Sequence, residues 1–236
     1  MVQERGGKGA MARAGAWAST MLLVFGAAVS ACKDTTNPVP VPAAVKADVA
    51  DTLAGVVAAP LDSALKVLVV DANGNPIAGT SVTFSSSAGG SFSPGVAVTD
   101  DQGVAQATYT FGTVAGAIVV TASDTTATPA TFYLTAMPAA PSAMTSVSGD
   151  AQSGAAGSQL SLPMVVLVAD QYGNPVSGVT VTWTTSGAGT LSTTSSQTDA
   201  SGHAQTTLTL DGTAGSQTVT ASATGLTNVV FTATGT

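Results

Sequence analysis

The chain of 236 residues has one cysteine (Cys32), one histidine (His203) and one glutamate (Glu4). A single cysteine allows no intramolecular disulfide, so no covalent staple supports folding. A single histidine allows no histidine cluster for a metal or for base catalysis. A serine triad needs a histidine with an acidic partner, and nothing near His203 suggests one. Lysine and arginine are also scarce, and none follows Lys66. From Lys33 onward Lys33, Lys46 and Lys66 face twelve aspartates, a net charge of −9. Phosphate binding needs a basic surface, so nucleic acid is excluded as a partner. Such a surface is not drawn to anionic lipid by charge either. Aromatic residues make up 5%, which leaves Val, Leu and Ala to fill most of any core.

Gly, Ser, Thr, Ala and Val dominate what is present, and they favour strands and tight turns over long helices. Hydrophobic residues reach 44%, enough for a core in each of two modest domains.

The first 32 residues read as an address. Arg5, Lys8 and Arg13 form a positive start, and Ala14 to Ala31 carry no charge. Either Met1 or Met11 can serve as the start. The segment ends in Val29-Ser30-Ala31-Cys32, which resembles the lipobox of bacterial lipoproteins. That resemblance implies cleavage before Cys32 and acylation of its thiol and amine, with loss of Glu4. Two or more acyl chains hold a protein stably on a bilayer where one does not. The alternative is an uncleaved transmembrane helix. The stretch is short for spanning, and Ser19 and Thr20 weaken it. Lys33, rather than Asp, follows Cys32, which in the enterobacterial sorting rule favours the outer membrane. The expected localisation is therefore exported and lipid-anchored in the cell envelope. Next comes Asn37-Pro38-Val39-Pro40-Val41-Pro42, whose alternating prolines favour an extended tether.

The strongest feature is a repeat at an offset of 99. Asp71-Ala72-Asn73-Gly74-Asn75-Pro76 matches Asp170-Gln171-Tyr172-Gly173-Asn174-Pro175. Without gaps, Val82-Thr83-Phe84 then falls on Val181-Thr182-Trp183, and Thr99-Asp100 on Thr198-Asp199. Gly103 falls on Gly202, and Val120-Thr121-Ala122-Ser123 on Val219-Thr220-Ala221-Ser222. A unit of this size is too long for a solenoid repeat and suits an immunoglobulin-like sandwich. Strands are expected near 52–57, 63–71, 80–87, 96–99, 104–111, 117–123 and 130–136, with the second set 99 residues later. Val82 and Phe84, and Val181 and Trp183, alternate with Ser or Thr as a half-buried strand requires. Ala105, Ala107, Tyr109 and Phe111 should line one face, as should Leu208 and Leu210.

These segments resemble the group 1 bacterial Ig-like domains of the invasin and intimin adhesins. The carriers are Asp-x-x-Gly-Asn-Pro-x-x-Gly-x-x-Val-Thr-Phe/Trp, then Thr-Asp-x-x-Gly-x-Ala, then Ala-Gly-x-x-x-Val-Thr-Ala-Ser, each present twice. The resemblance implies an all-β fold of two tandem sandwiches at the cell surface. It does not bring the adhesins' binding head, because no lectin-like domain or outer-membrane barrel is present in the sequence.

The expected organisation is a signal peptide over 1–31, lipidated Cys32 and tether over 32–48, a first Ig-like domain over 49–137, a joint over 138–146 and a second domain over 147–236. Asp71-x-Asn73-x-Asn75 opens like a calcium loop, but the bidentate Glu required at the twelfth position is Val82, so a turn is the better reading. Asp100-Asp101, Asp150, Asp170, Asp199 and Asp211 are likewise read as loop and turn residues. Phe84 and Trp183 are read as core, and Tyr133 and Tyr172 as exposed. The expectation is a non-catalytic surface spacer or adhesion-type module. It has no catalytic residue, metal or cofactor, is lipidated at Cys32, and is a monomer whose partners are the bilayer and a surface protein or glycan. The alternative is a carbohydrate-binding module, which exposed aromatic rings in one cleft would favour.

Overall fold

A computed structural model describes residues 39–48 and 52–236, and every regular element in it is a β-strand. The lipobox, Cys32 and residues 33–38 of the tether lie outside the described residues. The first repeat forms β1 (Ala44–Ala47), β2 (Thr52–Val56), β3 (Leu65–Val70), β4 (Ser81–Ser86), β5 (Ser91–Ser93), β6 (Val96–Val98), β7 (Val104–Thr110), β8 (Gly116–Ser123) and β9 (Ala130–Met137). The second forms β10 (Pro141–Ser148), β11 (Gln152–Gly154), β12 (Met164–Asp170), β13 (Thr180–Thr185), β14 (Thr190–Leu191), β15 (Ser195–Gln197), β16 (His203–Thr206), β17 (Leu208–Thr209), β18 (Gly215–Ser222) and β19 (Val229–Gly235).

In the first repeat one sheet runs β1-β3-β7-β5 and the other β2-β9-β8-β4-β6. The chain enters antiparallel to β3, then crosses to the second sheet and lies parallel to β9. The second repeat repeats this path, with β10-β12-β16 and β14-β17 on one side and β11-β19-β18-β13-β15 on the other. Strands divided between two facing sheets in this way are an Ig-type sandwich. Two tandem sandwiches are what the repeat implied.

Each sandwich has its own core. Val67, Val82, Val120 and Phe132 are fully buried in the first, and Val166, Val181, Val219 and Phe231 in the second. Phe84 and Trp183 are buried as expected, and so is the Ala105, Ala107, Tyr109, Phe111 face. The first core stacks Phe92 on Tyr109 at 4.8 Å and sets Phe111 edge-on to Tyr109 at 5.2 Å. Such ring pairs add to what burial alone supplies.

Beyond the expected strand set the structure shows β1, β10 and the two equivalent short strands β5 and β14. Ala44–Ala47, expected within the tether, is a strand of the first sheet with Val45 buried. The prolines that block a ladder end at Pro42, and the Ala43 N–H already bonds the Val70 carbonyl at 2.9 Å. Pro141–Ser148 likewise begins the second sandwich inside the expected joint of 138–146. Ser91–Ser93 was not expected because it is short and sits between Gly90 and Pro94. It pairs with Thr108–Thr110, which brings Phe92 to the core.

The cores differ at one end. In the first, the Tyr109 hydroxyl donates to the Gly89 carbonyl at 2.7 Å and lies 3.0 Å from Ser86 Oγ. The second has Leu208 in that position and Gln217 where the first has Ile118. The Gln217 amide and the Thr185 hydroxyl are buried with no hydrogen-bond partner. A buried polar group left unpaired costs about 1–3 kcal/mol. Gln217→Ile, the residue of the first repeat, should therefore stabilise the second sandwich by about 1–3 kcal/mol, read as a raised urea midpoint. A lowered midpoint would show that the amide is satisfied in solution.

Candidate functional site at the joint between the sandwiches

The Asp-x-x-Gly-Asn-Pro turn follows β3 in the first sandwich and β12 in the second. Gly74 and Gly173 both take φ of 85°, a left-handed backbone that favours glycine. In the first copy Asp71 Oδ1 accepts the N–H groups of Asn73 and Asn75, both at 2.8 Å, and Oδ2 accepts Asn75 Nδ2 at 3.0 Å. The carboxylate is occupied by its own turn, as the turn reading expects. In the second copy Asp170 Oδ1 accepts the N–H groups of Tyr172 and Asn174, and Oδ2 accepts Asn174 Nδ2, all at 2.9 Å.

What the sequence did not single out is that the second copy also holds the two sandwiches together. Asn174 Nδ2 donates to the Thr113 carbonyl at 2.8 Å, and Asn174 Oδ1 accepts the Ala115 N–H at 2.9 Å. Thr113 and Ala115 lie in the loop between β7 and β8 of the first sandwich. Asp170 Oδ2 accepts the N–H of Ala139 in the connecting segment at 2.9 Å. Asp170 and Asn174 are buried, whereas Asn75 is exposed. Burial opposes ionisation of Asp170, but the bonds from the Asn174 side chain and from the Ala139, Asn174 and Tyr172 N–H groups outweigh it. Its carboxyl is held below the ordinary aspartate value. The first copy cannot close the same bond to its own entry segment, because residue 40, at the place of Ala139, is a proline without an N–H.

The other singled-out residues do not gather here. Asp100 and Asp199 each cap the next turn, and Gly103 and Gly202 follow at φ of 75° and 74°. A Cβ at Gly202 would meet the Val168 carbonyl oxygen at 2.6 Å, which explains the glycine in Thr-Asp-x-x-Gly. Asp150 reaches across to the Thr232 N–H at 2.7 Å, and Asp211 caps Thr213 at 2.8 Å. His203 occupies a strand position and its N–H donates to Asp199. Tyr133 and Tyr172 are exposed, as expected, and belong to different sandwiches.

The model of the bacterial Ig-like domain (group 1) family matches residues 61–135 and 143–235. This chain belongs to that family. Among solved structures it is similar to Yersinia pseudotuberculosis InvD, at 19% identity and a TM-score of 0.56 over 82% of this chain and 57% of that one. The Escherichia coli adhesin FdeC matches at 20% identity and a TM-score of 0.44 over 81% of this chain and 63% of FdeC. The D0-D1 domain of intimin matches at 25% identity and 0.31 over 80% of this chain and 98% of that fragment. The chain thus spans less than two thirds of the InvD and FdeC structures. Among curated proteins none matches the chain in sequence. The family match and the likeness to InvD show the fold of the group 1 domains.

Two outcomes test the joint. Asn174→Ala should speed amide exchange at Ala115 roughly tenfold or more, because a buried hydrogen bond is lost. Asn75→Ala, at the exposed equivalent, should leave Ala115 unchanged, and equal effects would sink the assignment. Because the Asp170 carboxyl is depressed in the folded state, its stabilisation is present above the unfolded value of about 3.9 and is lost as pH falls through the folded value. Small-angle scattering should therefore show the two sandwiches separating in acid, and Asp170→Asn should blunt that pH dependence.

Proposed function

We infer that the protein is a non-catalytic, monomeric, lipid-anchored surface module whose two Ig-like domains act as a semi-rigid spacer of adhesion type. The hydrogen-bonded joint carries this reading. Two bonds from one buried Asp-Asn pair reach the first sandwich and a third reaches the connecting segment, which seats the second sandwich as a semi-rigid spacer needs. The lipobox-like Val29-Ser30-Ala31-Cys32 supports export and acylation of Cys32, with the Pro-rich segment lifting the domains from the bilayer. The group 1 bacterial Ig-like family match supports a module built of tandem Ig-like domains. A groove of about 640 Å³ on the first sandwich is lined by no aromatic ring, so it does not supply the cleft of exposed rings that the glycan-binding alternative needs.

Metabolic labelling with a palmitate analogue checks the anchor. The full chain should take up label and partition with membranes, and Cys32→Ser should lose both. Label retained by Cys32→Ser, or a soluble unlabelled wild type, would refute the anchor.

A further inference from the structure

The two repeats differ most sharply along one sheet edge. β6 closes the second sheet of the first sandwich, and β15 is its equivalent in the second sandwich. Ladder bonds to the neighbouring strand alternate along β6. Phe84 N–H donates to the Gly95 carbonyl and Thr99 N–H to the Thr80 carbonyl. The backbone groups of Val96 and Val98 therefore point to the open side. The same alternation on β15 turns the backbone of Ser195 outward.

In the second sandwich this edge is closed locally. The Thr193 hydroxyl donates to the Ser195 carbonyl at 2.6 Å and accepts the Ser195 N–H at 3.3 Å. The outward side chains are Ser195 and Gln197. In the first sandwich residue 94, at the place of Thr193, is proline and has no hydroxyl to offer. The outward side chains are Val96 and Val98, which are 54% and 62% exposed. Proteins normally blunt an edge with short length, polar side chains or local capping. The second sandwich has all three devices, and the first keeps short length with Pro94 ahead of the strand rather than on it.

A groove of about 640 Å³ lies beside this edge, and it is lined by Val96, Val98 and the outward residues of the other sheet. β5 pairs only with Thr108–Thr110 of β7, so beside Val104 and Gln106 the first sheet offers no further strand. The groove brings Asp48 and Asp100 against one lysine, Lys66, a net charge of one negative. An extended chain with apolar side chains at alternate positions and a basic residue fits that edge by ladder bonds, pleat and charge.

We propose that β6 of the first sandwich is a strand-addition site that takes an extended, weakly basic peptide segment of a partner protein. The inference goes beyond the spacer reading and does not depend on the anchor.

The test is amide exchange by NMR on the full chain, with a six-residue peptide of alternating Thr and Val ending in Lys as the probe. The peptide should slow exchange at Val96 and Val98 at least tenfold and leave Ser195 and Gln197 unchanged. Giving the first edge the residues of the second, Pro94→Thr with Val96→Ser and Val98→Gln, should weaken peptide binding at least tenfold. The reciprocal change, Thr193→Pro with Ser195→Val and Gln197→Val, should create a second site, so the proposal remains testable if one variant fails to fold. No slowing at Val96 and Val98, or equal slowing at both edges, would overturn it. Protection that grows with chain concentration in the absence of peptide would also overturn it, because the occupant would then be a second copy.

Discussion

Aspartate bonded to the backbone of the turn that follows it is the interaction on which this molecule rests. Asp71, Asp100, Asp124, Asp170, Asp199 and Asp211 each accept an N–H group from within the next four residues. Such bonds satisfy donors that a tight turn would otherwise leave unpaired. They also account for the composition. A chain that uses carboxylates as turn caps needs aspartate, whose short side chain reaches its own turn, and has little use for glutamate. Ionised caps are favoured by the N–H groups they accept, so turn building accounts for six of the twelve aspartates after Cys32.

The same cap serves two purposes in the two repeats. Asp71 and Asn75 close a solvated turn, whereas Asp170 and Asn174 close the turn and bind the neighbouring sandwich. No new residue type is needed at the turn, because the partner offers backbone groups, a carbonyl at Thr113 and an N–H at Ala115. Direction comes from the entry segment. Ala139 has an N–H to give and Pro40 does not, so the second sandwich seats against the one before it, and among the described residues no other segment bonds the side chains of the equivalent first turn.

This explains which features were legible beforehand. The 99-residue spacing, the alternation of Val82 and Phe84 with Ser81 and Thr83, and the Asn-Gly and Asp-x-x-Gly turns encode side-chain period and backbone sign, and both appear directly in residue type. The joint did not announce itself, because Asn75 and Asn174 are the same letter and the acceptor loop contributes only backbone. The usable signal was the Pro40-to-Ala139 difference at matched positions. β1 and β5 were missed because each is short and abuts proline, and pairing with strands distant in the sequence supplies their stability.

Divergence between the repeats then reads as an experiment carried out on one scaffold. Where both copies agree, at Val82 and Val181 or Gly103 and Gly202, packing or backbone sign allows little else. Where they disagree inside, the second copy has Gln217 for Ile118 and Leu208 for Tyr109, whose hydroxyl partners Ser86, and it carries the unpaired polar groups of Gln217 and Thr185 as a result. Where they disagree at the β6 and β15 edges the polarity is reversed, and the first copy is the more apolar. A common loss of constraint would have drifted both sites the same way. Opposite changes at core and edge fit two domains under different demands, the second seated by the joint and the first left with an open edge.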